Sequence, residues 1–145
     1  MARNRIGIRR EDKNEWEARV PLVPRDISAI NRDNSVGFGI QSSNIRAFSD
    51  DEYREVGVEI VEDLSNHKVI IAVKEVPVEL IMPDKTYLFF SHTIKGQKEN
   101  MVLLQRLIDK KCTLIDYEKI VDDNNRRLIF FGRHAGIAGM CDSLW

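Results

Sequence analysis

Val69-Ile70-Ile71-Ala72-Val73 is an unbroken run of five apolar residues, entered through His67-Lys68 and left through Lys74-Glu75. A strand with one wet face alternates apolar and polar residues. A strand covered on both faces, as in a parallel sheet, reads as a continuous apolar run. The stretch therefore predicts a central parallel strand, and parallel strands need helical crossovers on either side.

Downstream, Thr86-Tyr87-Leu88-Phe89-Phe90 repeats the pattern. Between Gly96 and Lys111, Met101, Leu104, Leu107 and Ile108 recur at helical spacing, with Leu103 alongside, and predict a helix burying that stripe. Cys112 to Tyr117 is the next expected strand, with Cys112 in the core. Asp122-Asp123-Asn124-Asn125 is a turn, after which Leu128 to Phe131 is expected to return as a strand. His134 to Trp145 predicts a helix whose Gly136 and Gly139 leave room for a close neighbour.

Upstream, Arg5-Ile6-Gly7-Ile8-Arg9 predicts a strand and residues 10–19 a charged loop. Pro24, acceptable in a first helical turn, opens a helix through Arg32. Residues 35–41 are a further strand candidate. Ser49-Asp50-Asp51-Glu52 is a helix start, with a serine cap and acid in the first turn, ending before Gly57. Strands alternating with helices predict the α/β class: an open, mostly parallel sheet with helices on both faces. Residues 1–145 are expected to be a single domain, cut from a longer protein within its last helix.

Composition excludes several function classes. With 43% hydrophobic residues and a net charge of -1, the chain is neither disordered nor a basic nucleic-acid or membrane-surface binder. No apolar run approaches the ~20 residues of a membrane span, and the arginine-rich start lacks the apolar core of a signal peptide. A cytoplasmic location is expected. Cys112 and Cys141 form no disulfide framework or C-x-x-C motif. His67, His92 and His134 are scattered, so no metal is expected. No strand is followed by G-x-G-x-x-G, so no cofactor-binding residues are expected in this chain.

Ligands of open parallel sheets bind outside the carboxyl ends of the strands. Lys74 and Glu75 follow one strand, His92 and Lys95 the next, Glu118 the one after, and Arg19 lies in the loop after the first. A partly desolvated lysine and a histidine exchange protons near neutrality, and an arginine offers a planar fork to a carboxylate. From the residues alone, Lys74-Glu75 is equally a solvated ion pair, and His92 is more often a helix-capping or core-edge residue than a catalytic one.

Several stretches in one order carry a resemblance: Arg9-Arg10-Glu11-Asp12 with Trp16 to Pro24, Gln41 to Phe48, Val73 to Pro77, Phe89 to Gln97, Ile115 to Lys119 and Phe131 to Met140. They resemble the N-terminal domain of the alanine dehydrogenase and nicotinamide transhydrogenase superfamily, most of all the lysine–ketoglutarate reductase (saccharopine dehydrogenase) part of aminoadipic semialdehyde synthase. The resemblance implies a flavodoxin- and Rossmann-like substrate domain of an amino-acid dehydrogenase. It implies Lys74 and His92 as catalytic proton carriers, and Arg19, Lys95 and Glu118 around the substrate. NAD or NADP would be held by a separate Rossmann domain in cis or trans, absent from this chain. The substrate is expected to be an amino acid or 2-oxo acid, and the location mitochondrial if the parent enzyme is eukaryotic. An isolated half would expose apolar surface through which a homo-oligomer could form. An alanine dehydrogenase domain and a stand-alone amino-acid or oxo-acid-binding module are the alternatives.

Overall fold

The computed structural model describes residues 5–33, 36–94 and 96–144. The described elements run in order β1 (Arg5–Ile8), α1 (Pro24–Asp33), β2 (Gly37–Gln41), α2 (Asp50–Glu55), β3 (Glu59–Val61), β4 (Val69–Ile71), β5 (Thr86–Phe89), α3 (Lys98–Asp109), β6 (Thr113–Asp116) and α4 (Gly132–Ser143). Short 3₁₀ turns at Val78–Leu80 and Tyr117–Lys119 precede β5 and follow β6. The strands form one sheet in the order β3-β2-β1-β4-β5-β6, and every pairing is parallel.

Alternation along β1 and β4 splits the core between the two faces. Ile8, Ile40 and Ile71 meet Ile27 of α1 and Tyr53 of α2 on one face. Ile70, Ala72, Tyr87 and Phe89 meet Leu103 and Leu107 of α3 on the other. Helices thus lie on both faces, and the expected α/β class is what the chain adopts.

Local chemistry sets the boundaries. Ser49 and Glu52 close a capping box at α2, the Glu52 amide donating to Ser49 Oγ at 3.3 Å and the Ser49 amide to Glu52 Oε2 at 2.7 Å. The link from β3 to β4 carries no helix. It crosses β2 and β1 as a loop that lays Leu64 and His67 against the sheet. Gly7 and Gly39 make room for it: a Cβ on Gly7 would lie 2.9 Å from Leu64 Cδ2, and one on Gly39 2.5 Å from His67 Nε2.

Three expectations need correction. Leu128 to Phe131 is not a strand; the return consists of one antiparallel bridge, Val121 to Arg127. Leu128 and Phe130 are each 59% exposed, so no core draws these apolar residues into a ladder. Along α3 the buried residues are Leu103 and Leu107, whereas Ile108 is 61% exposed, because the helix turns a neighbouring stripe toward β5. Cys112 is half-buried at the core edge. Gly136 and Gly139 face open space: no described atom outside their own helix lies within 4 Å of where a Cβ would sit.

Candidate functional site

Chain order reverses at β1: β2 and β3 extend the sheet to one side, β4 to β6 to the other. The carboxyl ends of β1 and β4 therefore flank the switch point where such sheets bind ligands. A cleft of about 300 Å³ opens there. Arg19, Lys74, His92 and Arg127 supply its polar groups, and Val73, Phe90, Phe130 and Phe131 its apolar walls. A second cavity of about 380 Å³, lined by Arg9, Glu62, Ile81 and Tyr87 among others, lacks the strand-end bases. Convergent titratable groups, rather than volume, single out the first.

Lys74 leaves the end of β4 half-buried. Its amide donates to Glu11 Oε2 at 3.0 Å, and the Val73 amide donates to Glu11 Oε1 at 2.7 Å. Burial raises the Glu11 carboxyl above its ordinary value, against the pull of these two amides and of Arg9. Behind Arg19 stands Glu17, buried, with its two oxygens accepting from Nε at 2.7 Å and Nη2 at 2.6 Å. This hydrogen-bonded pair holds Glu17 below the usual carboxylate range, with the Lys74 charge assisting, and raises Arg19. The Arg19 guanidinium also lies 4.9 Å from the centre of the Phe131 ring.

His92 has a left-handed backbone, φ 52°, unusual for a residue with a side chain. Its ring stacks on Phe90 with centroids 6.3 Å apart, and Nε2 lies 3.8 Å from Glu75 Oε1. Glu75 accepts from Lys13 Nζ at 2.8 Å. Burial alone would raise the Glu75 carboxyl, but Lys13, backbone hydrogen bonding and His92 together hold it low. Either side of His92, the Ser91 and Thr93 hydroxyls lie 2.8 Å apart. Ser91, fully buried, also donates to Asp116 at the end of β6. Asp116 in turn accepts from the Glu118 amide at 2.8 Å, joining the His92 turn to the one carrying Glu118.

The structure thus brings together Arg19, Lys74 and His92. Glu118 stands one layer back, where its Oε1 accepts from Arg127 Nη2 at 2.8 Å. Lys95 lies outside the described residues. Arg127 and the Phe130-Phe131 wall were not expected from the sequence, since 128–131 read as a strand. The dibasic pair Arg126-Arg127 straight after the acidic turn was the available signal. Arg19, His92 and Arg127 are each backed by one carboxylate, Glu17, Glu75 and Glu118 respectively, and none of these three acids lines the cleft. Such a pocket favours anions and retains two groups able to exchange protons. Among the described residues, no cluster of three or more His, Cys, Asp or Glu side chains is placed to hold a metal ion, and no helix is long and apolar enough to cross a membrane.

The family described as "Alanine dehydrogenase/PNT, N-terminal domain" matches residues 7–138. The chain belongs to that family. Alpha-aminoadipic semialdehyde synthase, mitochondrial, from Bos taurus is 46% identical over 141 residues, covering 96% of this chain and 15% of the relative. Saccharopine dehydrogenase [NAD(+), L-lysine-forming] from Emericella nidulans is 32% identical over 145 residues, covering 96% of this chain and 38% of the relative. The chain therefore spans only a minor part of the relatives it matches. Among solved structures, an L-alanine dehydrogenase superposes with a TM-score of 0.68 at 21% identity, covering 84% of this chain and 34% of that one. A transhydrogenase from Sinorhizobium meliloti superposes with a TM-score of 0.66 at 13% identity, covering 82% of this chain and 36% of that one. Both share the fold of this alanine dehydrogenase/PNT N-terminal domain.

Proposed function

We propose that this chain is the substrate-binding and acid–base domain of an NAD(P)-dependent amino-acid dehydrogenase acting on a CH–NH bond, of the saccharopine dehydrogenase and lysine–ketoglutarate reductase type. The observation that carries this function is the convergence of Lys74 and His92, from neighbouring strand ends, with the Arg19 and Arg127 guanidiniums in one cleft. A substrate whose nitrogen joins an amino acid to the carbon skeleton of a 2-oxo acid has carboxylates on both sides of that nitrogen. Two guanidiniums suit it through forked hydrogen bonds. Alanine, with one carboxylate, leaves the second without a role. The likeness to the aminoadipic semialdehyde synthase and saccharopine dehydrogenase relatives supports the same choice.

Hydrolysing the C=N link carries both protons of the added water to the departing nitrogen, one as the oxygen bonds to carbon and one as the carbinol O–H becomes the carbonyl; forming the link runs the same transfers in reverse. Lys74 and His92 would supply these transfers, with Glu75 3.8 Å from His92 Nε2. Arg19 and Arg127 would fix the carboxylates, Glu118 would hold Arg127 in place from behind, and Lys95 would add positive charge.

The nicotinamide cofactor does not fit the described residues. Where a parallel sheet cradles a dinucleotide pyrophosphate, β1 here leads into the charged segment 9–23, with Arg9 and Glu11 buried. We assign NAD or NADP to a separate nucleotide-binding domain in cis or trans, and the chain alone would be inactive for want of its co-reactant. In support, α4 has no buried residue and exposes Ile137, Met140 and Leu144, an apolar surface suited to such a partner. The mitochondrial relative supports a mitochondrial location.

The test uses the full-length protein carrying this chain, assayed for NAD(P)H oxidation with lysine and 2-oxoglutarate, and separately with pyruvate and ammonia. Lys74→Met and His92→Gln should each lower turnover by about 10²-fold or more. Near wild-type rates in both variants would remove the assignment, and a preference for pyruvate would move it to alanine dehydrogenase.

A further inference from the structure

Unlike Glu17, Glu75 and Glu118, Glu11 holds backbone amides rather than a basic side chain. It is 7% exposed, sits in the loop after β1, and spends both carboxylate oxygens on the amides of Val73 and Lys74. Those amides need a partner. Ladder pairing between β1 and β4 ends with the Arg9 amide on Ile71 O at 2.9 Å, and the Ala72 amide is taken by Leu88 O at 3.0 Å. Val73 retains only its carbonyl contact to β5, accepting from the Phe90 amide at 3.1 Å. Beyond Ala72, the donors on the backbone that carries Lys74 are held by the Glu11 carboxylate.

A carboxylate is a costly way to satisfy two amides. Burying it carries a desolvation penalty that a backbone carbonyl would not. Its charged neighbours are mixed: Arg9 lowers its pKa, whereas Glu17 raises it. A group that is expensive for the fold and aimed at the peptide of one cleft residue has the character of a functional device. Its two oxygens fix that peptide in two places at once. A 1 Å error in a reacting group can cost about 10²-fold in rate.

We propose that Glu11 is a positioning residue: by clasping the Val73 and Lys74 amides, it sets the direction in which Lys74 enters the cleft. This rests on Lys74 being an acid–base group of the proposed dehydrogenase. Glu11 touches no reacting atom, and it acts only through the backbone of Lys74.

The experiment compares wild type, Lys74→Met and Glu11→Gln in the full-length protein, with rates normalised to folded protein. Glutamine keeps one acceptor and turns an NH₂ toward the other amide. Glu11→Gln should lower kcat about ten- to a hundredfold, leave KM within about threefold, and move the Val73 and Lys74 amide resonances upfield. An active wild type, an inactive Lys74→Met and an unchanged kcat in Glu11→Gln would overturn the proposal alone. Near wild-type turnover in Lys74→Met would overturn the acid–base role of Lys74 and this proposal with it. If Glu11→Gln does not fold, wild type decides. The two amide resonances should follow the ionisation of the Glu11 side-chain carboxyl carbon, distinguished from its charged or titrating neighbours Arg9, Glu17, Arg19 and Tyr117. Amides that stay flat across that ionisation would overturn the clasp.

Discussion

The His67 imidazole lies against the backbone of Gly39, where a Cβ would sit 2.5 Å from Nε2. His67 comes from the loop between β3 and β4, a crossover that brings no helix, and its ring packs over the Gly39 backbone. Gly39→Ala should therefore destabilise the fold through overpacking, by about 1–3 kcal/mol. The better strand propensity of alanine is too small to offset this. Urea denaturation of the chain measures the loss, and combining it with His67→Ala should recover most of it, because the two positions share one contact. Additive losses in the double variant would show that the strain lies elsewhere.

His67 also gives the fold a pH dependence. It is 2% exposed, and neither ring nitrogen has a hydrogen-bond partner among the described residues. Burial lowers its pKa from 6.5, with Arg5 and Lys85 assisting against Glu59. A histidine depressed in the folded state favours the unfolded state once the unfolded chain begins to protonate. Its contribution is thus full above about pH 6.5 and is lost as pH falls toward the folded value. Glu11 acts with the opposite sign. Its raised pKa means the folded state holds its proton more firmly, so stability from this group is lost as pH rises through the folded value. The two are separated by difference. Between pH 7.5 and 5, wild type should lose stability relative to His67→Leu, which has no proton to gain. Parallel curves for the two proteins would assign the pH dependence to the carboxylates.

The fold was legible where burial is complete. Val69 to Val73 reads as a buried strand because Ile70 to Val73 are buried, although the strand itself ends at Ile71, and Ser49 to Glu52 announces a helix start because both halves of the capping box are made by those residues alone. The edge was not. Glu59–Val61 is a three-residue strand without a fully buried side chain, and it carries no period to detect. Leu128 to Phe131 misled because the same apolar pattern serves a core strand or an exposed surface, and only the second is present here. Within α3, consecutive apolar residues Met101 to Leu104 allow two stripes, and packing on β5 rather than spacing chooses Leu103 and Leu107. Lys74 and His92 were visible as strand-end residues. Arg127 was not, because it reaches the cleft through a turn closed by the bridge to Val121. No local spacing ties it to Lys74.

Arg127 and Glu118 make a graded prediction. The Arg127 guanidinium lines the cleft, while Glu118 touches it from behind at 2.8 Å. Arg127→Ala removes a charge-assisted contact to a substrate carboxylate and should raise KM roughly 10- to 100-fold in the full-length enzyme, from the ~1.5–3 kcal/mol such bonds contribute. Glu118→Gln leaves the guanidinium in place but loosens it, so KM should rise only a few-fold. A larger effect from Glu118→Gln than from Arg127→Ala would mean that the carboxylate, not the arginine, meets the substrate.

Anion binding by the isolated chain separates the cleft's charge from its chemistry. Arg19, Lys74 and Arg127 line the pocket, and no carboxylate does, so calorimetry should detect 2-oxoglutarate binding without turnover. Affinity should fall as ionic strength rises from 0.01 to 0.15 M, where the Debye length shortens from about 30 to about 8 Å. The Arg19 charge is partly cancelled by the buried Glu17, whose carboxylate holds both ends of the guanidinium fork. Glu17→Gln removes that competing anion and should tighten dicarboxylate binding, by up to about tenfold for an interaction of about 1.4 kcal/mol, whereas Arg127→Ala should weaken it. If Glu17→Gln weakens binding as well, Glu17 is holding Arg19 in place more than it is neutralising it, and the clasp between them is structural.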